Sequence, residues 1–250
     1  MPSIREDVIA AAEAARLALG DRRAGVDFGW IRRLTAASGE RIGNVVAEIG
    51  EMVSFEERIR AELLLGGRPH YAQFRAPFEL YAFVRLTQPE HVLETGVSSG
   101  VSSAHLLLAV RRNGHGHVHS IDRPLPQQGP RIRPGESRVA IPPGRASGWA
   151  VPAEVRAGWD LRVGPSEQLL PPLVDDLPSV GLFLHDSWHT PKHLTFELTT
   201  VRPKLVPGAI VLADNTEWTG TAFPRFARQV GAPVVRRGRS DLVGLALPRS

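Results

Sequence analysis

The sequence predicts an α/β fold in which a mostly parallel sheet of seven strands is covered by helices on both faces. From residue 91 onwards, short apolar segments typical of buried strands alternate with segments of helical periodicity. Such alternation implies right-handed crossovers, which place helices on both sides of parallel strands. Among the 250 residues, 42% are hydrophobic and 22% are charged. This composition supplies a complete core and excludes an intrinsically disordered chain.

The N-terminal part of the chain is predicted to be helical. Residues 3–19 carry apolar side chains at helical spacing. A second helical stretch covers residues 38–65, and a short helix covers residues 77–87. Because no strand pattern occurs here, residues 1–75 are interpreted as a helical N-terminal extension that completes a ligand pocket or forms a dimer contact. Residues 76–250 are interpreted as the main domain.

The main domain continues as an alternation of strands and helices with one interruption. Strands are predicted at residues 91–96, 118–122, 161–163, 180–184, 209–213, 233–236 and 242–247. Helices are predicted at residues 102–112, 168–173, 192–205 and 223–230. Residues 123–160 do not fit the alternation and are rich in proline, glycine and arginine. A loop of this length in a compact domain is typical of a lid or a binding loop, so a lid-like insert is predicted after the second strand.

Charge and residue types narrow the class of protein. The chain has 30 basic and 26 acidic residues, for a formal net charge of +4, and the basic residues are scattered. Nucleic-acid binding usually needs clustered basic residues, so a nucleic-acid partner is disfavoured. The absence of cysteine excludes disulfides, thiolate metal sites and cysteine nucleophiles. No uncharged apolar run reaches the roughly 18 residues of a membrane helix, and a cytoplasmic location is predicted.

A turn rich in glycine and serine, between the first strand and the next helix, is the first candidate site. It contains Glu94, Gly96, Ser98, Gly100 and Ser102. Glycine allows a sharp bend and the close approach of a ligand to the backbone. The dinucleotide pattern G-x-G-x-x-G is absent. An acid before the first glycine suits a ligand with an ammonium or sulfonium group, and the alternative is an ordinary glycine-rich turn.

Asp122 ends the second predicted strand. Ligands of open parallel sheets bind beyond the carboxyl ends of the strands, where an acid commonly accepts hydrogen bonds from ribose hydroxyls. Asp122 is therefore a candidate contact for a nucleoside. The alternative is that it caps the loop before Pro124.

A third group of polar residues follows two strands that are predicted to be neighbours. Asp186 and His189 follow one strand, and Asp214 and Asn215 follow the other. Two carboxylates and an amide oxygen make a site of hard oxygen ligands, which suits Mg²⁺ or another divalent cation. A histidine three residues after Asp186 can reach the same cavity as a base. The alternative is that these groups only cap the strand ends and the following helix.

Together these residues resemble the class I S-adenosylmethionine-dependent methyltransferases, in particular the catechol O-methyltransferase-like and macrocin-type small-molecule O-methyltransferases. The resemblance covers roughly residues 75–247 and implies a Rossmann-like sheet. It implies that the glycine turn holds the methionine part of S-adenosylmethionine and that Asp122 holds the ribose. Ser166, Glu167 and Trp188 would surround the adenine. The cofactor-binding residues implied in this way are Glu94, Gly96, Ser98, Gly100, Ser102, Asp122, Ser166, Glu167, Asp186 and Trp188.

The same resemblance implies the activity, which is methyl transfer from S-adenosylmethionine to a hydroxyl group of a small molecule. Asp186, Asp214 and Asn215 would hold Mg²⁺ or another divalent cation, and His189 would be the catalytic base beside Asp186. The insert over residues 123–160 is longer than in catechol O-methyltransferase. Two alternatives stay open: a metal-independent small-molecule methyltransferase, and a nucleoside- or nucleic-acid-binding protein on the same fold.

Overall fold

The computed structural model describes residues 25–65, 74–124, 141–142 and 144–249, which form a seven-stranded sheet and eight α-helices. The strands are β1 (His91–Thr95), β2 (His117–Asp122), β3 (Trp159–Val163), β4 (Val180–His185), β5 (Leu205–Ala213), β6 (Val235–Arg236) and β7 (Val243–Ala246). The helices are α1 (Phe28–Thr35), α2 (Gly39–Gly50), α3 (Val53–Leu65), α4 (Pro77–Thr87), α5 (Val101–Asn113), α6 (Ser166–Asp176), α7 (Pro191–Val201) and α8 (Ala222–Gln229).

Across the sheet the strands follow the order β3-β2-β1-β4-β5-β7-β6. Strands β1 to β5 pair in parallel, whereas β7 runs antiparallel to both β5 and β6. The predicted mostly parallel sheet of seven strands is therefore confirmed. The strand order reverses at β1, so the carboxyl ends of β2, β1, β4 and β5 lie side by side at one edge. Open sheets of this kind bind ligands at that edge.

Two hydrophobic cores, one on each face of the sheet, hold the helices in place. Phe183 and Leu184 in β4 are adjacent and fully buried, yet they belong to different cores. Successive side chains of a strand point to opposite faces, so a strand that is apolar at every position is buried on both sides. Leu184 packs in the core that contains residues of α1 to α5, and Phe183 packs in the core that contains residues of α6 to α8.

Helix α1 shows how the N-terminal helices join the sheet. The Asp27 side chain caps the helix by accepting a hydrogen bond from the backbone N–H of Trp30 at 2.7 Å. The indole Nε1 of Trp30 donates to the carbonyl oxygen of Val235 in β6 at 2.9 Å. The same indole meets the ring of Phe83 in α4 edge-on, with ring centroids 5.0 Å apart. The described N-terminal helices therefore share a core with the sheet.

The helical region differs from the sequence prediction in its divisions. The continuous stretch predicted over residues 38–65 is split into α2 and α3 at Glu51 and Met52. The chain turns there because this turn buries the Met52 side chain in the core. The helix predicted at residues 3–19 lies outside the described residues, and the division of the chain after residue 75 stays a prediction. None of the helices in the described ranges combines the length and apolar character that a membrane span requires.

The insert predicted over residues 123–160 is shorter at its C-terminal end, because β3 already begins at Trp159. A 3-10 turn, Ala153–Val155, precedes β3. The Trp149 and Val151 side chains are buried in the core on the α5 side of the sheet. The described part of the insert is therefore packed against the domain at the place where a crossover helix would otherwise lie.

Candidate active site

The turn between β1 and α5 approaches the end of β4 so closely that position 96 requires glycine. Gly96 has a φ of +90°, and a Cβ atom there would lie 2.0 Å from the carbonyl oxygen of Asp186. Hydrogen bonds hold both segments in place. The N–H of Gly96 donates to the carbonyl of Ile121, and the N–H of Asp186 donates to the carbonyl of Thr95, each at 2.8 Å. The turn thus joins the ends of β1, β2 and β4.

Asp122 lies at the end of β2, directly beside this turn. Its Oδ1 accepts hydrogen bonds from the backbone N–H groups of Val97 at 3.0 Å and Ser98 at 3.3 Å. Its Oδ2 accepts a hydrogen bond from the hydroxyl group of Ser147 in the insert. The structure therefore places Asp122 at the end of β2 between the turn and Ser147, and its contact with a ribose stays a prediction.

Gly100 and Ser102 lie at the start of α5, where the insert covers the turn. Gly100 also has a φ of +90°, and a Cβ atom there would lie 2.8 Å from the Cα atom of Gly148. The N–H of Gly148 donates to the carbonyl of Ser98 at 2.8 Å. Ser102 is buried. Both residues therefore pack against protein, and their direct contact with a cofactor stays a prediction.

Glu94 is fully buried beneath the turn. Its Oε2 accepts hydrogen bonds from the hydroxyl groups of Ser103 at 2.5 Å and Ser120 at 2.8 Å. Burial raises the pKa of the Glu94 carboxyl to about 7, although hydrogen bonds from the neighbouring serines oppose this effect. Its contact with a cofactor stays a prediction, and its burial favours a supporting role below the turn.

Replacing Glu94 with glutamine is expected to stabilise the protein above pH 7. Burial raises the pKa of this carboxyl from 4.5 to about 7 in the folded protein, so the folded state binds the proton more tightly than the unfolded state. The stability contributed by Glu94 is present below pH 4.5 and is lost as the pH rises through 7. Glutamine cannot ionise, so Glu94→Gln is expected to raise the free energy of unfolding at pH 8 by about 3 kcal/mol relative to the unaltered protein. Denaturant unfolding at pH 5 and pH 8 measures the difference.

A substitution at Glu48 serves as the control, because its expected effect on stability at pH 8 has the opposite sign. Hydrogen bonding from Arg85 lowers the pKa of the Glu48 carboxyl. Glu48→Gln is therefore expected to destabilise the protein at pH 8. If Glu94→Gln changed the free energy of unfolding equally at pH 5 and pH 8, the argument from burial would be wrong.

Four polar side chains meet where β4 and β5 end. Nε2 of His189 lies 3.4 Å from Oδ1 of Asp186, and Nδ1 of His189 lies 3.4 Å from the side-chain nitrogen of Asn215. Asp214 precedes Asn215, and its backbone N–H donates to the carbonyl of His185 at 3.0 Å. The structure thus brings together the residues that the sequence places at two neighbouring strand ends.

The surroundings of Asp186 and Asp214 disfavour the ionisation of both carboxyl groups. Burial raises the pKa of each carboxyl to about 7. The charge of Asp186 raises the pKa of Asp214 further, and Asp241, in the turn before β7, raises the pKa of both. The nearby His189 partly offsets this effect at Asp214. Carboxyl groups that resist ionisation in this way favour a positively charged ligand beside them.

The donor types in this cluster fit a divalent cation. Mg²⁺ prefers carboxylate and amide oxygens, and a cation would offset the mutual repulsion of Asp186 and Asp214. Over the described ranges, no group of three or more His, Asp and Glu side chains is placed to hold a metal ion. The predicted ligand set includes Asn215 and only two such side chains, so the metal site stays a prediction.

The residues predicted to surround the adenine gather around His193 in α7. The hydroxyl of Ser166 lies 3.1 Å from Nε2 of His193, and Oε1 of Glu167 lies 3.3 Å from Nδ1. The ring of Trp188 lies 5.7 Å from the His193 ring, and this tryptophan is 46% exposed. Ser166, Glu167 and Trp188 therefore lie in one place, and the tryptophan offers an open aromatic face.

Glu197, in α7, is the main residue that sequence reasoning misses. Its fully buried carboxylate accepts hydrogen bonds from Thr95 Oγ1 at 2.7 Å and His185 Nδ1 at 2.6 Å, and it lies 2.9 Å from His193 Nε2. Burial alone would raise the pKa of Glu197, but the adjacent imidazoles lower it well below its usual range. This carboxylate therefore joins β1, β4 and α7 beneath the site. Its only sequence signal is the i,i+4 spacing from His193, which is common on helices.

Comparison with known proteins gives one family match. Residues 93–216 match the model of a family described as a methyltransferase domain. The matched range begins in β1, ends after β5 and contains every strand end described above. No curated protein matches the chain.

Several solved structures are similar to this chain in fold. One is the O-methyltransferase TomG from Streptomyces achromogenes, which is involved in tomaymycin synthesis and was solved in complex with SAM. TomG is 19% identical to this chain, and the match has a TM-score of 0.53 and covers 78% of this chain and 89% of TomG. SAH-bound methyltransferase PaMTH1 from Podospora anserina is 14% identical, with a TM-score of 0.53 over 77% of this chain and 88% of PaMTH1. The calicheamicin methyltransferase CalS11 is 18% identical, with a TM-score of 0.52 over 91% of this chain and 96% of CalS11. At these identities the similarity shows a shared fold.

Proposed function

Because residues 93–216 are a methyltransferase domain, we propose that this protein transfers a methyl group from S-adenosylmethionine to a hydroxyl group of a small molecule. The family match confirms the class of enzyme that the sequence predicts. One observation carries the finer proposal. The Gly96 turn, Asp122 and the cluster around His189 meet at the same edge of the sheet.

The crevice at this edge supports S-adenosylmethionine as the cofactor. The glycine turn lacks the pattern that binds a pyrophosphate. Asp122 is held where it can accept hydrogen bonds from a ribose. Three acidic side chains, Asp186, Asp214 and Asp241, interact at the crevice, and a cationic group such as a sulfonium would favour their ionised forms. TomG, which has a similar fold, has been solved in complex with this cofactor.

His189 is proposed to accept the hydroxyl proton of the acceptor at Nε2. S-adenosylmethionine supplies an electrophilic methyl group: the S–C bond breaks, its electron pair stays on sulfur, and the acceptor oxygen forms the new O–C bond. Asp186, whose Oδ1 lies 3.4 Å from Nε2, then pairs with the protonated ring. A ring that accepts a proton at Nε2 carries its own proton on Nδ1, so Asn215 turns its amide oxygen toward Nδ1, a rotation that an amide permits. The second lone pair of that oxygen remains for a cation.

A divalent cation on Asp186, Asp214 and Asn215 is the second part of the proposal. When bound, such a cation lowers the pKa of a coordinated hydroxyl group, so that a weak base is sufficient. The support is electrostatic, because burial raises the pKa of both carboxyl groups to about 7 and neighbouring acidic side chains contribute to the rise. These residues would also orient two neighbouring oxygens of the acceptor.

Removing divalent metals with EDTA is expected to abolish methyl transfer, and added Mg²⁺ is expected to restore it. Transfer of a labelled methyl group to a panel of catechols and vicinal diols measures this, and thermal unfolding with and without EDTA controls for loss of the fold. Full activity in EDTA would favour the second candidate function, a metal-independent small-molecule methyltransferase. That candidate agrees with the finding that no three His, Asp and Glu side chains are grouped as a metal site within the described residues.

Calorimetry with S-adenosylhomocysteine tests the cofactor separately from the acceptor. The protein is expected to bind this product, and Asp122→Ala is expected to weaken binding because it removes the ribose contact. Thr199→Ala, which removes an exposed hydroxyl that only bonds within α7, is the matched control and is expected to bind normally. No binding of S-adenosylhomocysteine by the unaltered protein would overturn the proposed function.

The acceptor is proposed to be a small molecule because the carboxylates of the crevice repel the phosphates of a nucleic acid. The cytoplasmic location and the homodimer that the sequence suggests stay predictions. Each is independent of the chemistry at the crevice.

A further inference from the structure

We propose that Ser147, in the insert between β2 and β3, is a positioning residue for the ribose of the cofactor. Its hydroxyl holds the Asp122 carboxylate in the orientation that accepts a ribose hydroxyl. This inference rests on the proposed function and deepens it, since it gives the insert a role in the cofactor site. It adds a residue that the glycine turn and the strand ends do not include.

The first support is the set of donors around the Asp122 carboxylate. Two backbone N–H groups, from Val97 and Ser98, donate to Oδ1 at 3.0 Å and 3.3 Å. On the other side, the Ser147 hydroxyl donates to Oδ2. Asp122 and Ser147 are 7% and 6% exposed, so water competes little for these bonds. Donors on both oxygens fix the rotation of the carboxylate plane.

The second support is the way in which the insert holds Ser147. The next two backbone contacts of the insert are made to the glycine turn: the N–H of Gly148 donates to the carbonyl of Ser98 at 2.8 Å, and the N–H of Ala150 donates to that of Ser99 at 3.0 Å. The guanidinium group of Arg156 donates to the carbonyl of Gly148 at 2.9 Å. Ser147 therefore stands on a segment that is fixed to the cofactor turn itself.

The third support is the close packing at Gly148. This residue has a φ of +72°, and a Cβ atom there would lie 2.3 Å from the ring of Trp159. Gly100 approaches the same residue from the turn. The segment is thus confined between Trp159 and the turn, which leaves Ser147 little freedom to move away from Asp122.

The chemistry of a carboxylate explains how Ser147 and a ribose share Asp122. An ionised carboxylate offers about four acceptor positions. The three protein donors use two of them on Oδ1 and one on Oδ2, so one position on Oδ2 is left for a ribose hydroxyl. A fixed carboxylate loses less freedom when a ligand binds, so the hydrogen bond to the ribose costs less in entropy. Removal of Ser147 is therefore expected to act on the ribose in particular.

The test compares S-adenosylhomocysteine with its 2′-deoxy and 3′-deoxy analogues by calorimetry. In the unaltered protein, loss of the one ribose hydroxyl that Asp122 binds is expected to weaken binding, so one of the two analogues binds less tightly than S-adenosylhomocysteine. Ser147→Ala is expected to weaken the binding of S-adenosylhomocysteine by about 5- to 20-fold and to weaken the binding of that analogue much less. Ser147→Thr keeps the hydroxyl and is expected to restore both values, and Thr199→Ala is the control for removal of a hydroxyl elsewhere.

The outcomes separate this inference from the proposed function. If the unaltered protein binds S-adenosylhomocysteine and Ser147→Ala binds it equally well or more tightly, the inference on Ser147 is wrong and the proposed function is kept. Equal weakening of all three ligands would show a structural role only, and would also overturn it. If Ser147→Ala does not fold, Ser147→Cys, which keeps the volume and lacks a strong donor, is measured in the same way. If the unaltered protein binds none of the three ligands, the proposed function is wrong, and the inference on Ser147 is wrong with it.

Discussion

Replacing His189 with alanine is expected to lower the turnover of methyl transfer by about 10²–10⁴-fold, the usual contribution of a positioned general base. The reason is that Nε2 of His189 lies 3.4 Å from Asp186, in the cluster at the ends of β4 and β5. The affinity for S-adenosylhomocysteine is expected to be kept, because the proposed cofactor contacts are made by Asp122 and by the residues around His193. Turnover with saturating cofactor and calorimetry measure the two effects separately.

His117 supplies the matched control for this substitution. It is exposed at the start of β2, at the opposite edge of the sheet from the candidate site. His117→Ala is expected to leave turnover unchanged. If His189→Ala kept the turnover of the unaltered protein, His189 would not be the base, and proton transfer to solvent or to Asp186 would have to replace it.

Replacing Gly96 with alanine is expected to lower the free energy of unfolding by about 3–5 kcal/mol, at the upper end of single substitutions. The new Cβ atom would lie 2.0 Å from the carbonyl oxygen of Asp186, so the turn and the end of β4 must separate. Such separation strains the hydrogen bond from Asp186 to Thr95. A misplacement of about 1 Å can cost ~10²-fold in rate, so turnover is expected to fall by that order and binding of S-adenosylhomocysteine is expected to weaken.

Gly114 separates the effect of the close contact from the effect of backbone conformation. It has a φ of +75°, similar to that of Gly96, but no atom lies within 4 Å of its ideal Cβ position. Gly114→Ala is therefore expected to cost only about 1–2 kcal/mol, the strain of a left-handed alanine. Equal losses of stability in the two variants would mean that the contact with Asp186 is not a constraint.

The fold and the strand ends are predictable because their signals are local. The segment over residues 180–184 is apolar at nearly every position and is followed at once by His185 and Asp186. The structure confirms a buried strand there that ends at His185. The parallel pairing then brings Asp186 beside the end of β5, as the alternation of strands and helices implies.

The supporting residues of the site are not predictable in the same way, because their signals are tertiary. Ser147 reaches Asp122 from 25 positions away, through a segment rich in glycine and proline that has no periodicity. Glu197 resembles any acidic residue of an amphipathic helix until the fold places Thr95 and His185 against it. The buried location of Glu94 also follows from the packing of Ser103 and Ser120, which its place before a glycine does not reveal.

The reversed direction of β7 gives this protein a means of adjusting its crevice from outside the parallel strands. Because β7 runs against β5, the turn that precedes it reaches the edge where β4 and β5 end. The carbonyl of Asp241 in that turn accepts a hydrogen bond from the N–H of Thr216 at 3.2 Å, and its carboxylate acts on Asp186 and Asp214. A substitution in this hairpin is therefore expected to change the charge of the crevice without altering Asp186, Asp214 or His189.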